Sequence, residues 1–114
     1  TISPFESISE SQKVAEQLNN PLSMVYETFH KGSLPTEFSG VSVSRENIVI
    51  TAIKKHVEED AVVLRAYETE NKDTDVEITI LGTAIETHFG HNQVKTFKIA
   101  DGTVKECDFM EWEK

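Results

Sequence analysis

The chain has 114 residues and carries 11 Lys and Arg against 20 Asp and Glu, so its formal net charge is −9. Its length corresponds to a single domain, since domains most often have about 100–150 residues, and is too short for a two-domain enzyme. The acidic balance argues against nucleic acid as a partner, because nucleic-acid binders display basic patches. The single cysteine, Cys107, excludes an internal disulfide and a cysteine-based zinc site and favours a reducing, cytoplasmic environment.

No apolar run approaches the roughly 18–20 residues of a membrane span, and the chain does not open with the pattern of a signal peptide. We therefore expect no membrane as a partner. The sequence starts with Thr1 rather than Met, and we expect it to be a fragment of a longer protein.

Residues 1–40 contain all three prolines and are predicted to form an N-terminal arm that is irregular except for one short helix. The helix is predicted from Ser9 to Leu18, with Ser9 or Ser11 as its cap. Asn19-Asn20-Pro21 then ends it, because proline cannot continue a helix.

From residue 41 onward the hydrophobic pattern has a period of two, which indicates strands. We predict that residues 41–114 form an all-β domain, an antiparallel two-sheet β-sandwich, which makes a single domain together with the arm. The predicted strands are Val41–Ser44, Asn47–Lys54, Ala61–Thr69, Asp75–Leu81, Ala84–Phe89, Gln93–Ile99 and Val104–Phe109.

The second predicted strand, Asn47–Lys54, has apolar residues at both parities. This pattern predicts a central strand that is covered on both faces, with Ile50 in the core. The polar runs 56–60 and 70–74 are predicted to be hairpin loops, and turns are expected at residues 90–92 and 101–102.

Several acidic and histidine patterns are candidates for chemical sites. His88 and His91 form His-x-x-His, with Glu86 and Asp108 as nearby oxygen ligands, but the spacing that aligns two imidazoles on a helix does not transfer to a strand and a turn. Acidic runs such as residues 58–60 are expected to be solvated. We therefore predict no catalytic residue and no metal ligand in this chain.

The last residues contain an apolar cluster of Phe109, Met110 and Trp112. Such a cluster either forms a platform for a sugar ring or packs against a sheet edge or another domain, and the second use is the commoner one. Cys107 is expected to be a small apolar residue of the last strand.

Four segments, in order, resemble the C-terminal β-domains of α-mannosidases of glycoside hydrolase family 38. The similar segments are Ala15-Glu16-Gln17-Leu18-Asn19-Asn20-Pro21-Leu22, Asn47-Ile48-Val49-Ile50-Thr51-Ala52-Ile53-Lys54 (preceded by Ser42-Val43-Ser44), Leu64-Arg65-Ala66-Tyr67-Glu68 and Gln93-Val94-Lys95-Thr96-Phe97-Lys98-Ile99. Together they span residues 15–99.

The resemblance implies a non-catalytic domain that packs on and buttresses the catalytic region of the same parent chain. The parent enzyme would hydrolyse α-mannosides with retention, using a zinc-like divalent metal in an N-terminal α/β domain whose motifs are absent here. The fragment alone would then be inactive and bind no cofactor.

Within the third segment, Arg65 and Tyr67 share a strand face with Val63. The resemblance makes Arg65 and Tyr67 candidates for a substrate-proximal or interdomain role. Arg65 either reaches toward the substrate cleft of the full enzyme or pairs with Glu68, Glu77 or a carboxylate of another domain, and the pairing is favoured.

An autonomous carbohydrate-binding or protein-interaction β-sandwich module is the alternative function. The arm has more large apolar residues than so short a segment can bury, so we expect an exposed patch or self-association of the fragment. These residues are Ile2, Phe5, Ile8, Leu22, Met24, Val25, Tyr26, Phe29 and Leu34.

Overall fold

A computed structural model describes Pro4 and residues 7–113, and the chain divides into two compact units, Thr1–Ser39 and Gly40–Lys114. No helix in the described part of the chain is long and apolar enough to cross a membrane.

The first unit contains the predicted helix, α1, which runs from Ile8 to Asn19. Its cap is Ser7 rather than Ser9 or Ser11, because the Ser7 side chain accepts the backbone N–H of Glu10 at 3.2 Å. This bond satisfies one of the donors that the first turn of a helix leaves free.

The chain between Asn20 and Ser39 contains neither helix nor strand. Seven large apolar side chains there are exposed, from 73% for Met24 to 104% for Phe29. They are Leu22, Met24, Val25, Tyr26, Phe29, Leu34 and Phe38. Ile8 is 56% exposed, whereas Ile2 and Phe5 lie outside the described residues.

The second unit confirms the predicted antiparallel β-sandwich. Its strands are β1 (Val41–Val43), β2 (Ile48–Lys55), β3 (Val62–Glu68), β4 (Thr74–Ile80), β5 (Thr83–Phe89), β6 (Val94–Ala100) and β7 (Thr103–Cys107). One sheet has three strands in the order β1-β4-β5, and the other has four in the order β2-β3-β6-β7.

The core is a cluster of apolar side chains contributed by both sheets. Strand β4 shows the pattern most clearly, because Val76, Ile78 and Ile80 are buried while Glu77 is exposed. Such alternation is expected of a sheet with one wet face. The buried cluster comprises Ile48, Leu64, Ala66, Val76, Ile78, Ile80, Ile85, Phe89 and Phe97.

The prediction that the second strand is central was wrong. Strand β2 lies at an edge of the four-stranded sheet, and β3 is an interior strand with neighbours on both sides. Ile50 is only partly buried, Ile53 is 50% exposed, and the register shifts between Ile50 and Ala52. The alternation of apolar residues shows which faces of a strand are covered, but it does not show whether other strands pair with it on both sides. The pattern in Asn47–Lys54 therefore does not distinguish an edge strand from a central one.

Of the two predicted hairpin loops, the one at residues 56–60 is confirmed and the one at residues 70–74 is wrong. Residues 56–61 close the β2–β3 hairpin, with the His56 N–H donating to the Ala61 carbonyl at 2.8 Å. Residues 69–73 form no hairpin, because β3 and β4 belong to different sheets. The turns at 90–92 and 101–102 are present, and Asn92, Asp101 and Gly102 have positive φ.

This arrangement predicts unequal costs for two truncations. Leu64 is fully buried on β3, so Leu64→Ala should lower the free energy of unfolding by about 2–5 kcal/mol through lost burial and a cavity. Ile50→Ala, on the edge strand, should lower the free energy of unfolding clearly less than Leu64→Ala does. Urea unfolding measures both, and equal losses would contradict the strand order.

Candidate functional site

The outer face of the four-stranded sheet carries Arg65, in the middle of β3. Its Nε donates to Thr96 Oγ1 at 3.1 Å, and its Nη2 donates to the Phe109 carbonyl at 2.8 Å. The guanidinium lies 4.0 Å from the centroid of the Phe109 ring, and Nη2 is 3.6 Å from Glu111 Oε1. Arg65 therefore fastens the chain beyond β7 onto the sheet.

Residues 108–113, which we call the tail turn, are held by their own hydrogen bonds as well. The Trp112 N–H donates to Asp108 Oδ1 at 2.9 Å, and the Asp108 N–H donates to the Trp112 carbonyl at 2.9 Å. Glu111 also pairs with Lys54 Nζ at 2.7 Å. The hydrogen bond from Lys54 lowers the pKa of Glu111 against the opposing effect of burial, with a further contribution from the Arg65 charge.

A second clamp on the tail turn is Lys98 of β6, whose side chain is only 6% exposed. Its Nζ lies 2.6 Å from Glu113 Oε1 and 2.9 Å from Glu59 Oε2. Glu113 also contacts Lys105 Nζ at 2.9 Å. Hydrogen bonds from Lys98 and then Lys105 lower the pKa of Glu113 to about 2, and hydrogen bonds to Glu113 and then Glu59 raise the pKa of Lys98.

Arg65 thus pairs with Glu111 rather than with Glu68 or Glu77. Leu64, Ala66 and Glu68 occupy the inward parity of β3, whereas Arg65 and Tyr67 occupy the other. Glu77 belongs to the opposite sheet. Tyr67 is half-buried beside Val49 and Val94. A substrate-proximal or interdomain role for Arg65 and Tyr67 stays a prediction.

The most constrained polar group is one that sequence reasoning missed. The Glu68 carboxylate, at the end of β3, is 1% exposed. It accepts the backbone N–H groups of Glu70 (2.7 Å), Lys72 (3.1 Å) and Asn92 (3.0 Å), and the Asn47 amide Nδ2 at 2.9 Å. A glutamate in a strand is normally exposed, so only the inward parity that it shares with Leu64 signalled burial.

These four donors determine the charge state of Glu68. Burial alone would raise its pKa, but the N–H of Asn92, the Asn47 amide and the N–H groups of Glu70 and Lys72 together lower it to about 2. Each donor stabilises the ionised carboxylate and not the acid. The buried group is therefore a fixed anion at neutral pH.

His88 and His91, the histidines of the His-x-x-His pattern, contact carboxylates. His88 Nδ1 is 2.9 Å from Asp75 Oδ1, and His91 Nε2 is 3.3 Å from Asp73 Oδ2. Among the described residues, no group of three or more His, Cys, Asp or Glu could hold a metal ion. Cys107 is buried, and burial raises the pKa of its thiol.

The architecture is that of a β-sandwich domain whose polar sites are clamps of the fold. Residues 47–114 match the sequence model of the family described as "Glycosyl hydrolases family 38 C-terminal beta sandwich domain". This match covers more than half of the chain, and the chain belongs to that family. Comparison of the chain with curated proteins and with solved structures gave no match.

The Glu68 contacts predict a specific pH dependence. Because the folded pKa is depressed from 4.5 to about 2, the stabilisation of roughly 3 kcal/mol is present above pH 4.5 and is lost as the pH falls toward 2. Glu68→Gln should lower the unfolding free energy at pH 7 and flatten this part of its acid dependence. Urea unfolding between pH 2 and pH 7 measures both, with exposed Glu86→Gln as the control. A Glu68→Gln curve parallel to the wild type would contradict the assignment.

A second prediction concerns the planar fork of Arg65. Arg65→Lys keeps the charge but cannot bond Thr96, Phe109 and Glu111 at once, so it should cost about 1–2 kcal/mol of unfolding free energy. The matched control is Arg45→Lys, since Arg45 makes one exposed bond to the Asp75 carbonyl. Similar losses in thermal or urea unfolding would show that the clamp contributes little.

Proposed function

We propose that this chain is the non-catalytic C-terminal β-domain of an α-mannosidase, and that it packs on and buttresses the catalytic region of its parent chain. The family match over residues 47–114 carries the proposal, because it joins the domain to a glycosyl hydrolase. The parent enzyme, as proposed, hydrolyses α-mannosides and is cytoplasmic. The retained free thiol of Cys107 agrees with a reducing compartment.

The exposed apolar residues of the arm support a packing role. Seven large apolar side chains between Leu22 and Phe38 are exposed, and the segment has no helix or strand of its own. Exposed apolar surface beyond that of ordinary monomers marks an interaction site in soluble proteins. We assign these side chains to the interface with the catalytic region.

The perturbed carboxylates argue against a catalytic role for the domain itself. Retaining hydrolysis needs a general acid with a raised pKa and a second carboxylate roughly 5–5.5 Å away. The pKa values of Glu68, Glu111 and Glu113 are all lowered, so these groups cannot hold a proton near neutral pH. The zinc-like metal is assigned to the catalytic region, since the described residues do not fit one, and no hydrolytic step is assigned here.

The proposal predicts an inactive fragment that binds its missing partner. The 114-residue chain should leave an aryl α-mannoside uncleaved with added zinc, yet form a one-to-one complex with the separately expressed catalytic region of its gene. Phe29→Ser should weaken that complex, whereas Leu81→Asn, in a turn of the sandwich, should not. Size-exclusion chromatography with light scattering reports the complex.

Two outcomes would contradict this proposal. Turnover that scales with the fragment and survives repurification would make the domain catalytic. A monomer that binds neither hydrophobic dye nor the catalytic region would favour the autonomous binding module instead. Self-association of the isolated fragment, reversed by the catalytic region, would support the exposed interface.

A further inference from the structure

An open pocket of about 400 Å³ lies between the β2–β3 hairpin loop and the tail turn. Its volume falls within the roughly 300–1,000 Å³ of small-molecule sites. Its lining combines apolar and polar groups, including His56, Glu58, Glu59, Lys98, Met110 and Trp112. Such a combination of apolar walls and a few polar groups is typical of a ligand site.

The aromatic wall of this pocket is exposed but rigidly mounted. Trp112 is 69% exposed. Its backbone N–H donates to the Asp108 side chain, and its backbone carbonyl accepts the Asp108 N–H. Its neighbours Glu111 and Glu113 are clamped to Lys54 and Lys98. The Trp112 backbone is therefore preorganised, which lowers the ordering cost of binding a ligand against this side chain.

Two polar groups of the pocket are available to a ligand. His56 Nδ1 accepts the backbone N–H groups of Glu58 (3.3 Å) and Glu59 (3.1 Å), which places the ring proton on Nε2 as a donor. The exposed Glu58 carboxylate has no hydrogen bond or ion pair with any described residue. The pocket thus offers one donor and one charged acceptor beside Trp112.

The charge balance discriminates between classes of ligand. Glu59 and Glu113 are neutralised by Lys98 and Lys105 together, and Glu111 is neutralised by Lys54. Among the acidic residues that line the pocket, only Glu58 has no partner within the described part of the chain, so the pocket offers a cation little excess charge. An apolar partner segment would bury Glu58 and His56 without hydrogen bonds, at a free-energy cost for each. A neutral ligand with several hydroxyl groups satisfies both.

We propose that this pocket is an accessory, non-catalytic binding site for a neutral hexopyranoside. The sugar ring lies against Trp112, and its hydroxyl groups donate to Glu58 and accept from His56. The choice of a glycoside rests on the proposed function, because the parent enzyme acts on glycosides. The pocket itself rests on the geometry alone.

Trp112 is the sole tryptophan, so intrinsic fluorescence reports this pocket directly. Titration of the 114-residue chain with methyl α-mannopyranoside should give a saturable change, whereas glycerol at equal concentrations should not. Glu58→Ala should weaken binding about tenfold through loss of a charged hydrogen bond, and the exposed Glu86→Ala should leave it unchanged. Calorimetry of Trp112→Ala should show no binding.

A fluorescence response that is absent or linear in sugar concentration would overturn the site. So would binding that persists in Trp112→Ala or is equally weakened by both glutamate variants. The result is independent of complex formation with the catalytic region. Sugar binding without a complex would keep this site and reject the packing role, and a complex without sugar binding would do the reverse.

Discussion

The buried carboxylate of Glu68 organises one end of this sandwich. The chain passes between the two sheets three times, from β1 to β2, from β3 to β4 and from β5 to β6. Glu68 accepts a hydrogen bond from each passage: Asn47 in the first, Glu70 and Lys72 in the second, and Asn92 in the third. One anion therefore joins three loops, because an ionised carboxylate offers about four lone-pair sites to N–H donors.

This hub gives a physical reason for the motifs through which the sequence resembles its family. Asn47 opens the second similar segment and Glu68 closes the third, 21 residues later. Asn47 Nδ2 also reaches Thr74 Oγ1 at 2.7 Å, which ties the hub to the other sheet. Arg65, in the same segment as Glu68, fastens the tail turn on the outer face. Three residues of these motifs, Asn47, Arg65 and Glu68, therefore hold segments of the sandwich together.

Alternating hydrophobicity sufficed to predict the seven strands, because side-chain parity is a local property. Lateral order is not local, so β2 with apolar residues on both parities was misplaced as a central strand. The loop at 69–73 was likewise misjudged, since a polar run does not reveal whether the next strand joins the same sheet. The contacts of the tail turn could not be predicted from the sequence either, because Glu111 lies near Lys54 and Arg65 only once the sheet has formed.

Ionised carboxylates hold together the loops around Glu68 and also fasten the tail turn to the outer face of the four-stranded sheet. Glu68, Glu111 and Glu113 are stabilised as anions by the donors or cations around them. They therefore hold neighbouring segments together and carry no proton to donate near neutral pH. Glu58 differs, since its carboxylate is committed to no partner within the described residues. The clamps that fix Glu111 and Glu113 also present Trp112 between them, beside that one uncommitted carboxylate. The ion pairs that fasten the tail turn to the sheet thus also fix the position of the backbone that carries the exposed Trp112 side chain.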